Sequence, residues 1–101
     1  MLKGFQKKYL RGLAHDVKPV VTLGQRGITE TLLLSVNDAL NTHELIKIKF
    51  NDFKEKAQKE EIMAVICQKT GGEMAGMIGH VAILYRRHPD PEKRKISLPE
   101  K

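Results

Sequence analysis

The apolar positions of this chain fall into short blocks that alternate between helical and extended spacing. Over residues 3–14 the period is that of a helix, with Phe5, Tyr9, Leu10 and Leu13 on one side and Lys3, Lys7, Lys8 and Arg11 on the other. His15–Pro19 is a connector, because Pro19 pushes Lys18 toward an extended conformation. Val20–Leu23 is a β-branched run that fits a strand, and it stops at Gly24. After Gly27 the helical period returns: Thr29 is the expected N-cap, Ile28 and Leu33 fit the staple positions, and Leu32, Leu33, Val36, Ala39 and Leu40 form the inward face. Asn41-Thr42 is expected to end that helix. Glu44–Phe50 then alternates as a half-buried strand, with Ile46, Ile48 and Phe50 inward and Lys47 and Lys49 outward.

A third helix is expected over roughly 54–70, charged in its first half and apolar in its second, closed by Gly71-Gly72. Met74–Ile78 and Val81–Arg86 flank Gly79-His80, the two-residue Gly-X link of a type II′ hairpin. The predicted order is α-β-α-β-α-β-β. This is an α/β fold with a mixed four-stranded sheet and three helices. From His88 onward Pro89, Pro91 and Pro99 surround Lys93-Arg94-Lys95. Residues 1–88 therefore read as the domain and 89–101 as a loosely ordered basic tail, with Ile96 and Leu98 able to dock if a groove exists.

Charge sharpens the picture. The net charge is +6, but residues 1–28 hold six Lys/Arg against Asp16 alone, and residues 86–101 hold six against three acids. The middle of the chain is slightly acidic. If the two ends fold back beside Gly24–Gly27, they make one positive face suited to a polyanion. A single cysteine, Cys67, excludes an intramolecular disulfide and reads as a small buried hydrophobe. No apolar run is long enough to span a bilayer, and lysines interrupt any leader-like opening. A cytoplasmic, monomeric protein without membrane partners is expected.

The stretch VVTLGQRGITETLL, residues 20–33, carries the candidate chemistry. A strand runs into G-x-x-G and straight into a helix. Glycines allow a tight turn and close backbone approach, and a helix start offers unpaired N–H groups to a phosphate. The loop lacks the third glycine of a dinucleotide site and the Gly-Lys-Ser/Thr of a nucleotriphosphate loop. It matches the backbone clamp with which KH modules hold about four nucleotides. No catalytic or metal-ligating constellation accompanies it, since His15, His43, His80 and His88 are scattered. No enzyme activity, cofactor, metal or small-molecule substrate is expected. Phe5 and Tyr9 are expected in the core, while Tyr85 could pack or stack on a base.

LRGLAH (Leu10–His15), KPVV with LGQRGIT (Lys18–Thr29), HELIKIK (His43–Lys49), IGHVAILYR (Ile78–Arg86) and KISLP (Lys95–Pro99) together resemble the YhbY family. Its members are stand-alone CRM domains, named for chloroplast RNA splicing and ribosome maturation. The resemblance implies a fold similar to the C-terminal domain of bacterial initiation factor three. It also implies RNA binding on large-subunit ribosomal precursors, in support of ribosome assembly. The RNA-contacting region it implies maps onto Gly24, Gln25, Arg26 and Gly27. Lys3, Lys7, Lys8 and Arg11 are expected to flank them as a basic ridge, with Lys18 and Arg86 completing the RNA-binding set. The rival expectation is a protein-interaction module on ribosome-associated complexes, with its basic ends giving only nonspecific RNA affinity.

Overall fold

The computed structural model describes residues 1–100; Lys101 lies outside the described residues. The elements are α1 (Gly4–Ala14), β1 (Val21–Leu23), α2 (Glu30–His43), β2 (Leu45–Phe50), α3 (Lys56–Thr70), β3 (Glu73–Ile78) and β4 (Val81–Tyr85), followed by a short 3-10 turn at Pro91–Lys93. The sheet order is β1-β2-β4-β3. β1 pairs parallel with β2, and the other neighbours are antiparallel. The expected α/β order and mixed four-stranded sheet are therefore present. Thr29 caps α2 through a 3.0 Å bond from the Leu32 N–H to its hydroxyl. Gly79 takes positive φ (59°) in the β3–β4 turn, and His80 does not, as a II′ turn requires.

Both faces of the sheet are covered. Ile46, Ile48, Phe50, Ala82 and Leu84 pack with Leu32, Val36, Leu40, Met63 and Ile66 of α2 and α3. The opposite face carries Leu45, Ala75, Ile83 and Tyr85 beneath Leu10 and Ala14 of α1. The half-buried pattern expected of β2 thus needs correction. Its Leu45 and half-buried Lys47 face α1 rather than water. The wheel of α1 is also shifted. Leu10 and Ala14 are buried, while Phe5, Tyr9 and Leu13 are left substantially exposed.

Residues 89–100, expected to be loose, are drawn back onto that second face. Ile96 and Leu98 pack against the α1 cluster, and Gln6 Nε2 donates to the Pro99 carbonyl at 3.1 Å. The tether is Glu44. Its side chain is 1% exposed, and its carboxylate accepts backbone N–H bonds from His88 (2.7 Å), Lys95 (2.6 Å) and Ile96 (3.0 Å). Glu44 also ends α2 at positive φ (63°), a conformation usually left to Gly or Asn. Burial raises its carboxyl pKa, but the three N–H donors and the nearby His88 outweigh burial and leave it below the ordinary value.

β3 is blunted at its free edge. The pairing with β4 slips between Met74 and Gly76, so Ala75 is bulged. The Ala75 carbonyl accepts from Arg11 Nη1 at 3.0 Å, and the Arg11 stem lies over Gly76, where a Cβ would come within 2.6 Å of Arg11 Cδ. The Met- and Gly-rich sequence of β3 thus makes room for an arginine from α1.

A depressed carboxyl pKa stabilises the fold above the unfolded value, near ~4.3, and its contribution is lost as pH falls through the lower folded value. Glu44→Gln is predicted to destabilise the protein by about 1–3 kcal/mol at neutral pH and to expose residues 89–100 to proteolysis. It should also flatten the acid limb of the stability curve relative to the intact protein. Chemical denaturation from about one unit below that value up to neutral pH checks both.

Candidate nucleic-acid interface

β1 is an edge strand, and its C-terminal end releases the chain into Gly24–Gly27 at the rim of the sheet. The Gly27 N–H bonds the Gly24 carbonyl at 3.0 Å, so the loop is a tight turn with Gln25 and Arg26 exposed at its tip. Gly27 has φ +66°, which explains its identity. Phe53 supports it from behind: a Cβ on Gly27 would stand 3.5 Å from the Phe53 ring, and Phe53 itself has φ 56°. A bulky residue in that region costs ~1–2 kcal/mol, and here packing of the ring against the apolar core holds it. Gly24 differs. It has no positive φ, and nothing in the chain lies within 4 Å of a Cβ added there. No packing or backbone constraint within the protein demands a glycine at 24.

The loop opens onto a groove of about 530 Å³ that runs from Val20 to Ser35 along the first turns of α2. Thr29, Thr31 and Ser35 supply hydroxyls, and the amides of Glu30 and Thr31 lack intrahelical partners. Glu30 places an acid in the same first turn, so the positive charge at this groove comes from Arg26. The arrangement offers donors to a phosphodiester chain.

The other cations expected beside the loop are dispersed. Lys3 stands near the start of β3, since the neighbouring Leu2 N–H bonds Glu73 at 2.7 Å. That is the sheet corner diagonally opposite the loop, on the order of 20 Å away from strand spacing and rise. Lys7 is half-buried, Lys8 is exposed, and Arg11 is tied to Ala75. Lys18 is exposed in the connector ahead of β1.

Arg86, expected among the RNA contacts, is half-buried and has its guanidinium engaged within the fold. Nη1 donates to Asn37 Oδ1 (2.6 Å) and the Thr70 carbonyl (2.8 Å), and Nη2 to the Asn37 carbonyl (3.1 Å) and Asn41 Oδ1 (2.7 Å). It joins β4 to the last turns of both α2 and α3, where a cation suits the helix ends. Burial lowers its pKa from the ordinary arginine value. Lys59, in the charged first half of α3, is likewise buried and donates to the Gly79 carbonyl at 2.6 Å.

The two tyrosines exchange roles. Tyr85 is 5% exposed within the second cluster and closed to a base, while Tyr9 is 42% exposed. Cys67 is half-buried, and burial pushes its thiol pKa up, away from reactivity. Among the described residues, no group of three or more His, Cys, Asp or Glu gathers as metal ligands, and no helix is long and apolar enough to cross a membrane.

With this geometry in view, residues 2–86 match the family model described as the CRS1 / YhbY (CRM) domain. The chain belongs to that family. A Haemophilus influenzae relative described as an RNA-binding protein is 43% identical over 96 residues, covering 95% of this chain and 93% of its own. A Pseudomonas aeruginosa relative, described as a probable RNA-binding protein, is 34% identical over 92% of this chain and 88% of its own. The solution structure of a Staphylococcus aureus protein, described as a candidate RNA-binding protein, superposes on this CRM domain with a TM-score of 0.82. It shares 32% identity and covers 98% of this chain and all of that one.

The two loop glycines should separate in a stability assay. Gly27→Ala is predicted to lose about 1–2 kcal/mol, the cost of a left-handed alanine, whereas Gly24→Ala should unfold with the intact protein. Arg86→Met should cost more, about 2–3 kcal/mol, because several carbonyl and amide acceptors lose a charged donor. Thermal and urea unfolding of the three variants check the ranking.

Proposed function

We infer that this CRM domain is a non-enzymatic RNA-binding protein that grips a single-stranded backbone at Gly24–Gly27. It acts as a cytoplasmic monomer on ribosomal RNA in large-subunit precursors and assists their assembly. The observation that carries the RNA grip is Gly24. It has no internal reason to be glycine, yet it stands at the open mouth of a groove with Arg26 at its tip. A backbone without a side chain is what a close-approaching phosphate chain requires. The names of the relatives support RNA as the partner. The ribosomal assignment rests on the family resemblance of the separate sequence blocks.

Phosphate contacts should dominate affinity, and specificity should be modest. If about four phosphates of a single strand are neutralised, log affinity falls with log salt at a slope near −3, so a fourfold rise in salt weakens binding roughly 50-fold. The test is titration of single-stranded ribosomal RNA fragments at two salt concentrations with the intact protein, Gly24→Ala and Gln25→Asp/Arg26→Asp. The double variant is predicted to lose most affinity, and Gly24→Ala to weaken binding while its stability is unchanged. In gradients of cell extract, the intact protein should sediment with large-subunit precursors, and the double variant should not. Equal binding by all three proteins, with a salt slope near zero, would give the interface to a protein partner instead.

A further inference from the structure

A second cleft, of about 520 Å³, lies between α1, the connector before β1 and residues 95–97. Its walls include Tyr9, Leu13, Val20 and Ile96. Tyr9, Leu13 and Val20 are 42%, 41% and 50% exposed, so three of the seven large apolar side chains left exposed among the described residues meet in one place. Single exposed apolar residues are ordinary, but a gathered set marks a binding surface. Lys18, Lys95 and His43 stand in the same lining, and no Asp or Glu does. The cleft is thus apolar within and cationic around. Flat, aromatic, polyanion-borne groups fit that chemistry: a ring can stack on Tyr9 while the attached phosphate meets a lysine.

Val20 lines both this cleft and the loop groove, so the two adjoin just ahead of β1. From Val20 to Gly24 is roughly 13 Å of extended chain. That lies within the reach of the few nucleotides that a G-x-x-G turn clamps. One wall of the cleft exists only because the chain after His88 is folded back, with the Lys95 and Ile96 amides bonded to Glu44. The part of the chain beyond the matched family residues 2–86 therefore contributes directly to it.

We propose that the cleft between α1 and the folded-back C-terminal segment takes an unstacked base of the same RNA strand whose backbone crosses Gly24–Gly27, with Tyr9 as its stacking platform. The proposal rests on the RNA-binding reading above and adds to it a base-contacting site, where the loop supplies only backbone contacts. Lys18 and Lys95 hold the flanking phosphate. The Tyr9, His43 and Ser97 polar groups stand at hand for the base edge.

The test compares an oligouridylate with an abasic phosphodiester chain of the same length and charge, at fixed salt. The intact protein should prefer the oligouridylate by about tenfold, the scale of one base–aromatic stack. Tyr9→Ala should abolish the preference and leave the salt slope unchanged, and Tyr9→Phe should keep it. Because Tyr9 is substantially exposed, unfolding curves should show Tyr9→Ala to be folded. As a measurement free of any variant, a 4-thiouridine oligomer irradiated on the intact protein should cross-link to the peptides holding Tyr9 or Val20. Loop-dependent oligouridylate binding with the same base preference in intact protein and Tyr9→Ala, and cross-links elsewhere, would overturn the base site and leave the RNA-binding reading standing. Failure of the intact protein to bind either chain would overturn both. A Tyr9→Ala variant that binds RNA normally but loses a co-purifying protein would assign the cleft to that protein and contradict the proposal.

Discussion

The rest of the molecule depends on where the Glu44 carboxylate goes. Glu44 sits between the last turn of α2 and the first residue of β2, in a backbone conformation that is strained for a side-chain-bearing residue. Its carbonyl takes the N–H of Arg86 at 2.9 Å, which fixes the exit of β4. Its carboxylate takes three more N–H groups from the chain beyond. A buried carboxylate without partners would cost several kcal/mol, so burial and bonding must form together. One side chain thereby closes a helix, starts a strand and folds the C-terminal segment over the second face of the sheet.

That junction leaves the two ends of the sheet with different tasks. At one end Glu44 and Arg86 consume their charges internally, tying α2, α3 and the C-terminal segment to the strands. At the other, the chain leaves β1 through a loop whose charge, Arg26, points outward and whose first glycine is unexplained by any contact within the protein. The surplus of +6 is therefore a poor guide to the interface by itself. Arg11, Lys59 and Arg86 are engaged by carbonyls, while Lys18 and Lys95 meet beside β1. Function at such a surface follows from which cations remain free, and that depends on tertiary contacts.

Much of the architecture was legible because it rests on local rules. Thr29 caps where a threonine before an apolar period should, Gly79 turns where a Gly-X link should, and Gly71 ends α3 in the left-handed conformation. The G-x-x-G loop was legible for the same reason. The long-range contacts were not. The pattern of α1 puts Leu10 inward, as found, but nothing in it shows that Ala14, rather than Phe5, Tyr9 and Leu13, joins Leu10 against the sheet. That choice is made by Leu45, Ile83 and Tyr85, all distant in sequence. Arg11 reads as one of a ridge of equivalent cations until Gly76 and the bulged Ala75 appear beneath it. The one signal available was the small-residue run at Ala75-Gly76, which marks an edge that something else must approach closely. Glu44 had no signal, because an acid after a helix reads as solvated unless its distant amide partners are known.

The most direct test is an amide-resolved NMR titration of the isotope-labelled protein with a single-stranded RNA oligomer. Binding through the loop predicts that the largest shifts and broadening fall on Gly24–Gly27, the first turn of α2 and Val20, with the exposed face of α3 and the β3 edge unmoved. Shifts centred on α3 or β3, with the loop amides silent, would contradict it and leave the G-x-x-G turn as architecture alone.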